Sequence, residues 1–169
     1  MSVIEDEKFG IGDVVVYAKH GVGVVEEISE MEFRGENYSS YAISMKASGI
    51  RLFVPTARAS EMGLRSLRTE NDLNESVRIL TSDADIKELC KTRTWKERKK
   101  VLDDMFASGC PIDLAKIVKY LYGKNNVKDL PNSERKIYDF SLKFLIHEIA
   151  CVKGISEEEA DNVIAECLC

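Results

Sequence analysis

Phe9–Ile28 reads FGIGDVVVYAKHGVGVVEEI. Ile11 leads into the run Val14–Tyr17, and Gly21 and Gly23 then flank Val22 ahead of Val24, Val25 and Ile28. Further along, Tyr41, Ile43 and Met45 alternate with Ala42 and Ser44, and Ile50, Leu52 and Val54 alternate with Arg51 and Phe53. This period predicts short antiparallel strands with one buried face. Gly12-Asp13, Arg34-Gly35-Glu36-Asn37 and Ser48-Gly49 supply turns, and Pro55 ends the last clear strand or takes an edge. Four or five short twisted strands of this kind predict closure into a small β-barrel, which removes sheet edges.

Residues 57–83 are less regular. They read as a short helical turn, a strand or loop through 64–68, and a linker helix near 72–80. From residue 84 onward the period is helical. Ile86, Leu89, Cys90, Val101, Leu102, Met105 and Phe106 recur at three- and four-residue steps until Gly109. Pro111 opens a helix whose stripe is Leu114, Ile117, Val118, Leu121 and Tyr122. Pro131, Asn132 and Ser133 open another, with Ile137, Phe140, Phe144, Leu145, Ile149 and Val152 on one face and Gly154 at its end. Ser156 with Glu159 forms a capping-box pattern for a last helix bearing Ala160, Val163, Ile164 and Leu168. The fold class is thus two-domain: an all-β module over 1–68, a linker with a short helix over 69–84, and a compact all-α domain over 85–169.

Composition bounds what such a chain does. Its 169 residues are 44% hydrophobic and 31% charged, as expected of a folded protein of one or two small domains. No apolar run is long enough for a membrane span, and the acidic start MSVIEDEKF does not read as a signal peptide, so a cytoplasmic location is expected. Residues 1–84 carry 9 basic and 14 acidic side chains, whereas residues 85–169 carry 15 of each. A protein held to nucleic acid by phosphate contacts alone would be more basic. Five cysteines (Cys90, Cys110, Cys151, Cys167 and Cys169) without Cys-x-x-Cys spacing read as buried or incidental thiols, not as a disulfide framework or a metal site. No cofactor is expected.

Little in the sequence supports enzymatic chemistry. His20-Gly21-Val22-Gly23 lacks the spacing of a dinucleotide loop and is flanked by β-rich sequence, so its glycines read as a tight bend or a close strand approach. No paired Asp, Cys or Ser stands in a recognisable arrangement around His20, and His147 lies in a largely apolar helix. The carboxylate pairs Glu26-Glu27 and Asp103-Asp104 and the run Glu157–Glu159 are sequence neighbours; on helices such neighbours diverge.

The lone tryptophan is the feature that asks for a function. Trp95 sits among Lys87, Lys91, Arg93, Lys96, Arg98, Lys99 and Lys100, interrupted only by Glu88 and Glu97. Were 85–107 broadly helical, Lys91, Trp95 and Arg98 would share one side. Phosphate contacts from Lys91, Arg98 and Lys99 could then position a duplex while the indole stacks on a base or presses into a minor groove. The alternative is an indole half buried in the helical core, its lysines merely solvated. Spacing leaves both open.

Taken together, FGIGDVVVYAKHGVGVVEEI, RGENYSSYAI and IRLFVPT at the front, and TWKERKKVLDDMFASG, DLAKIVKYL and IHEIACVKGISEEEAD at the back, resemble the CarD/CdnL family of bacterial transcription regulators. The front module of that family is shared with transcription-repair coupling factor. The resemblance implies a Tudor-like β-barrel that binds the RNA polymerase beta subunit at its protrusion. It also implies a helical domain on promoter DNA at the upstream edge of the bubble, in a monomeric protein associated with the nucleoid through polymerase. The tryptophan would enter the minor groove and stabilise the open complex without any chemistry. Carried over, Trp95 is the wedge, Lys91, Lys96, Arg98, Lys99 and Lys100 surround it, and Arg135 is a further DNA-facing residue on a later helix. Met31, Phe33, Arg34, Arg51 and Phe53 fall where the family meets polymerase. Glu97 stands where relatives often carry arginine, Met31 and Phe53 where some carry arginines, and Cys110-Pro111 replaces a more usual Asp cap. A protein-interaction adaptor on polymerase without DNA contact is the competing reading.

Overall fold

The computed structural model describes residues 7–91, 94–124 and 129–169. The chain divides into two compact units, residues 1–67 and 68–169.

The first unit is one antiparallel sheet of β1 (Val14–Tyr17), β2 (Gly21–Phe33), β3 (Glu36–Met45), β4 (Arg51–Pro55) and β5 (Leu64–Ser66), in the order β4-β3-β2-β1-β5. Its core gathers Phe9, Val15, Val25, Tyr41, Ile43, Met45, Val54, Ala59 and Leu64. Phe9 N–H donates to Tyr41 Oη at 3.2 Å, and the two rings meet edge to face at 5.7 Å. The closed Tudor-like barrel expected from the sequence is not formed as a hydrogen-bonded ladder: β4 and β5 stand at the two ends of the sheet. Side chains link those ends instead, since Val54 of β4 and Leu64 of β5 share the core.

β2 and β3 run well beyond the strands read from the sequence, to Phe33 and from Glu36. This outer ribbon is rich in Glu, Ser and Asn and has little core to bury, so it lacks the apolar alternation that marks a strand. Arg34 and Gly35 close it, both at positive φ (53° and 79°), the geometry of the two-residue turn whose twist matches a hairpin. A bulge between Val25 and Glu27 shifts the register, so that Val25 faces Ile43 whereas Glu27 faces Ala42.

Gly23 shows what the His20–Gly23 motif is for. A Cβ there would lie 2.7 Å from Ile43 Cγ2 and 2.9 Å from the Ser44 carbonyl oxygen. The glycine permits β2 and β3 to approach, which is a structural duty.

The second unit contains α1 (Glu70–Leu80), the single turn α2 (Lys87–Cys90), α3 (Trp95–Ser108), α4 (Pro111–Lys124), α5 (Asn132–Lys153) and α6 (Glu157–Leu168). Thr69 and Ser156 open α1 and α6 with capping boxes through Asp72 and Glu159, and Gly109 and Gly154 end α3 and α5 at φ near 65°. α4 is central: it packs on α1, α3 and α5 and buries Leu114, Ile117, Val118 and Leu121. Tyr122 and Phe140, placed inward by period alone, are exposed. α1 packs on α4 and α6, with Leu73, Ile79 and Leu80 buried.

Replacing Gly23 with alanine should destabilise the β unit by about 2 kcal/mol, because one of the two clashes is with backbone and cannot rotate away. Urea unfolding followed by far-UV circular dichroism measures the loss; a stability equal to the parent would contradict the close approach.

Candidate functional site

The start of α3 sets the site. Thr94 is its N-cap: the hydroxyl accepts from Glu97 N–H at 3.1 Å, and Glu97 Oε2 accepts from Thr94 N–H at 3.3 Å. These reciprocal bonds satisfy backbone donors that the first helical turn otherwise leaves unpaired. They also correct the reading of one helix over 85–107. Lys91 follows α2 and precedes Thr94, so it does not share a helical column with Trp95 and Arg98. Arg93 lies outside the described residues. Trp95 becomes the first residue of α3, and its side chain is 53% exposed. The indole is therefore not a core residue.

At about 100° per residue, Arg98 and Leu102 turn toward the helical core while Lys96 and Lys100 turn away from it. Lys96 and Lys100 are exposed, and Lys99 on the flank donates to Asp103 Oδ2 at 2.7 Å. Between surface groups such a pair contributes only ~0.3–0.5 kcal/mol and leaves the ammonium accessible to other anions. A shallow groove along the first turns of α3 is lined by Thr94, Lys96, Glu97, Lys99, Lys100, Asp103 and Asp104, so it carries acidic and basic groups together.

Arg98 behaves differently from its neighbours. Its Nε donates to Glu134 Oε1 at 2.7 Å, while Lys124 Nζ approaches Glu134 Oε2 at 3.3 Å. Glu134 is only 3% exposed. Arg98 is thus engaged inside the helical unit. Arg135 follows Glu134 on α5, half exposed and 3.8 Å from Asp139. Through the Arg98–Glu134 contact the fold brings the start of α5, Arg135 included, to the start of α3. Reasoning from sequence missed Glu134, Lys124 and the capping duty of Glu97. The motif Thr94-x-x-Glu97 would have revealed the last; nothing local marks the other two.

The β unit presents a second surface. Cross-strand partners point to one side of a sheet. The pairs Ala42–Glu27 and Ala42–Phe53, Ser44–Val24 and Ser44–Arg51, Tyr38–Met31 and Glu36–Phe33 therefore set Met31, Phe33, Arg51 and Phe53 on a common face. Phe33 is 59% and Phe53 48% exposed. Arg34 lies over the Phe33 ring at 5.2 Å and Arg51 over the Phe53 ring at 5.5 Å. Arg51 Nη2 also meets Glu27 Oε2 at 2.8 Å, with Glu26 Oε2 3.5 Å from its Nε. The bulge supplies both carboxylates. Phe53 belongs to β4, an edge strand whose outer backbone groups face away from the sheet.

The remaining candidates resolve into structure. His20 stacks on Tyr17 with ring centroids 5.0 Å apart. His147 is buried, with Nε2 3.6 Å from Glu157 Oε2. Burial, with a smaller effect from the Glu166 charge, pushes the Cys167 thiol up, away from the thiolate that metal binding or redox chemistry uses. Among the described residues no group of three or more His, Cys, Asp and Glu is placed to hold a metal ion. Among the same residues no helix is long and apolar enough to cross a membrane.

Two family models match consecutive parts of the chain. The CarD-like/TRCF RID domain matches residues 9–68, and the CarD C-terminal domain matches residues 77–165. The chain belongs to the CarD/CdnL family. It is 32% identical over 151 residues to the Bacillus subtilis (strain 168) protein named "Putative transcription factor YdeB", covering 89% of this chain and 96% of that one. A CarD/CdnL protein is a transcription regulator, and the two surfaces just described fall one in each matched domain.

Thr94→Ala should lower helical-unit stability by about 1 kcal/mol through loss of the cap. Thermal unfolding followed at 222 nm, read as about a few degrees in Tm, checks it.

Proposed function

We propose that this CarD/CdnL protein acts at transcription initiation by holding RNA polymerase with its β unit and opened promoter DNA with its helical unit. The carrying observation is the exposed indole of Trp95 at the first residue of α3, the helix that also bears Lys96, Lys99 and Lys100. In this reading Met31, Phe33, Arg34, Arg51 and Phe53 meet the polymerase beta subunit at its protrusion. Lys91, Lys96, Lys99, Lys100 and Arg135 contact phosphates, and Trp95 enters the minor groove at the upstream edge of the bubble. Arg98, engaged by Glu134, supports the site from within.

The mechanism needs no bond-making. Melting a promoter loses base stacking, and a ligand favours the melted state only by its differential affinity for it. An indole fits a widened, unstacked minor groove better than an intact one. Residues 85–169 carry no net charge, so DNA contact by this region alone is weak. Docking of the β unit on polymerase raises the effective concentration of the wedge at the promoter, and weak contacts then suffice.

A second reading has its own support. Glu97, Asp103 and Asp104 line the groove along the start of α3, and Arg98 is turned inward. These features favour an adaptor that engages polymerase without touching DNA. Footprinting of polymerase on a promoter, with and without the protein, separates the two: the wedge extends or alters protection at the upstream bubble edge, whereas the adaptor leaves it unchanged.

Trp95→Ala should shorten the open-complex lifetime about tenfold, which corresponds to ~1.4 kcal/mol and falls within the usual worth of aromatic–base stacking. Polymerase capture should stay at the parent level. An unaltered lifetime at a promoter limited by opening would rule the wedge out. Phe53→Ala should do the reverse, weakening capture about tenfold as the loss of an aromatic anchor does. Pull-down of polymerase by the full chain reads this.

A further inference from the structure

Glu134 occupies the first turn of α5, and its carboxylate is almost wholly withdrawn from water. Such burial is costly unless charged, hydrogen-bonded partners surround the group. The partners come from two other helices. Arg98 of α3 takes one carboxylate oxygen at 2.7 Å, and Lys124, the last residue of α4, approaches the other at 3.3 Å. The helix dipoles cooperate: a carboxylate at the start of α5 and an ammonium at the end of α4 are each at the favourable terminus.

Beyond its first turn α3 is held by Leu102 and by the Phe106 ring, which stacks on Phe144 of α5 at 5.8 Å. Leu102 is its one fully buried side chain. The capping box fixes where the helix begins, but it does not fix how the helix is rotated about its axis. Arg98 lies one turn beyond Trp95, at the i,i+3 spacing that puts both on adjoining parts of the surface. A directional guanidinium–carboxylate contact at that point sets the rotation of the first turn, and with it the direction in which the indole leaves the helix.

We propose that Glu134, braced by Lys124, is the positioning residue for Trp95: a buried carboxylate that holds Arg98 and so presents the indole preorganised for DNA. The proposal rests on the reading of Trp95 as the DNA-contacting side chain, and it explains why an arginine in the basic segment is turned inward. An indole fixed before binding loses little freedom on entering a groove, which is what a weak contact requires. Glu134 therefore has a signature unlike that of an ordinary stabilising residue. Removing its charge releases Arg98 and makes the surface more basic, so affinity for intact duplex rises or holds. The open-complex lifetime falls all the same, because the indole is no longer aimed.

The test uses the full chain carrying Glu134→Gln, Arg98→Gln or both, with Ile164→Ala on α6 as a control that lowers stability away from the pair. Trp95 is the sole tryptophan, so quenching of its fluorescence reports the accessibility of that indole alone. In each single variant and in the double variant, acrylamide quenching of Trp95 should rise about twofold and to the same extent, the non-additivity expected of one shared contact. The lifetime should lose most of what Trp95→Ala loses, with duplex affinity undiminished in Glu134→Gln, and Ile164→Ala should leave quenching unchanged. If Glu134→Gln alone fails to fold, the double variant, which leaves neither Arg98 nor Glu134 as a lone charge, carries the same test. Unchanged quenching in the Glu134 variants, additive effects, or an equal rise in Ile164→Ala would overturn the positioning role. If quenching rises while neither these variants nor Trp95→Ala shorten the lifetime, the positioning role stands and the DNA reading falls. If Trp95→Ala shortens the lifetime while Glu134→Gln moves neither readout, the reverse holds.

Discussion

Thr94 and Glu97 exchange hydrogen bonds at 3.1 and 3.3 Å, and the candidate DNA surface depends on where that exchange starts the helix. A threonine hydroxyl competes well for the unpaired N–H groups of a first turn, and a glutamate three residues on completes the pair. Trp95 is consequently a terminal residue with solvent on one side, not a mid-helix residue packed between turns. Glu97 looks like a defect in a basic segment when only charge is counted. In the fold it anchors the helix that displays the indole, a duty its charge alone does not reveal. The buried Arg98–Glu134 contact complements the cap, joining the same turn to α5.

The β unit solves a related problem with backbone geometry. The absent side chain of Gly23 lets two strands approach, and the bulge after Val25 changes which residues of β2 face the core. Beyond the bulge, Glu27, Met31 and Phe33 share a face with Arg51 and Phe53. The result is a mixed surface with arginines lying over its two phenylalanines, one of them on an edge strand. Aromatic and arginine side chains with limited competing solvation are the types that anchor protein–protein contacts. The helical unit offers one indole and a few lysines interleaved with carboxylates. That asymmetry is what the proposed division requires, with protein contact supplying affinity and DNA contact supplying selectivity for the opened state.

Much of this was legible in the chain. Val14–Tyr17, Gly21–Ile28, Tyr41–Met45 and Arg51–Val54 read as strands because each has an apolar face that must be buried, and burial imposes a period. The helices of the second unit announced themselves by three- and four-residue spacing and by Gly109, Pro111, Gly154 and Ser156 at their ends. The polar ends of β2 and β3 were not legible, because a solvated ribbon has no apolar face and is held by its turn and its backbone pairing. Nor was the placement of α1: the sequence reads as a linker helix, and its apolar side finds α4 and α6 only in three dimensions.

The candidate site divides along the same line. The sequence by itself determined that one tryptophan lies in a basic segment and that a β-rich half precedes a helical half, since residue type and local period suffice for both; its quoted motifs carried the resemblance to the CarD/CdnL family. Only the tertiary structure decided that Arg98 turns inward while Lys96 and Lys100 turn outward, that Glu134 receives both Arg98 and Lys124, and that Met31, Phe33, Arg51 and Phe53 share a face. The physical reason is that a buried carboxylate and a strand register are settled by partners distant in sequence. Glu134 is 36 residues from Arg98, and no local propensity records which cation a carboxylate will meet.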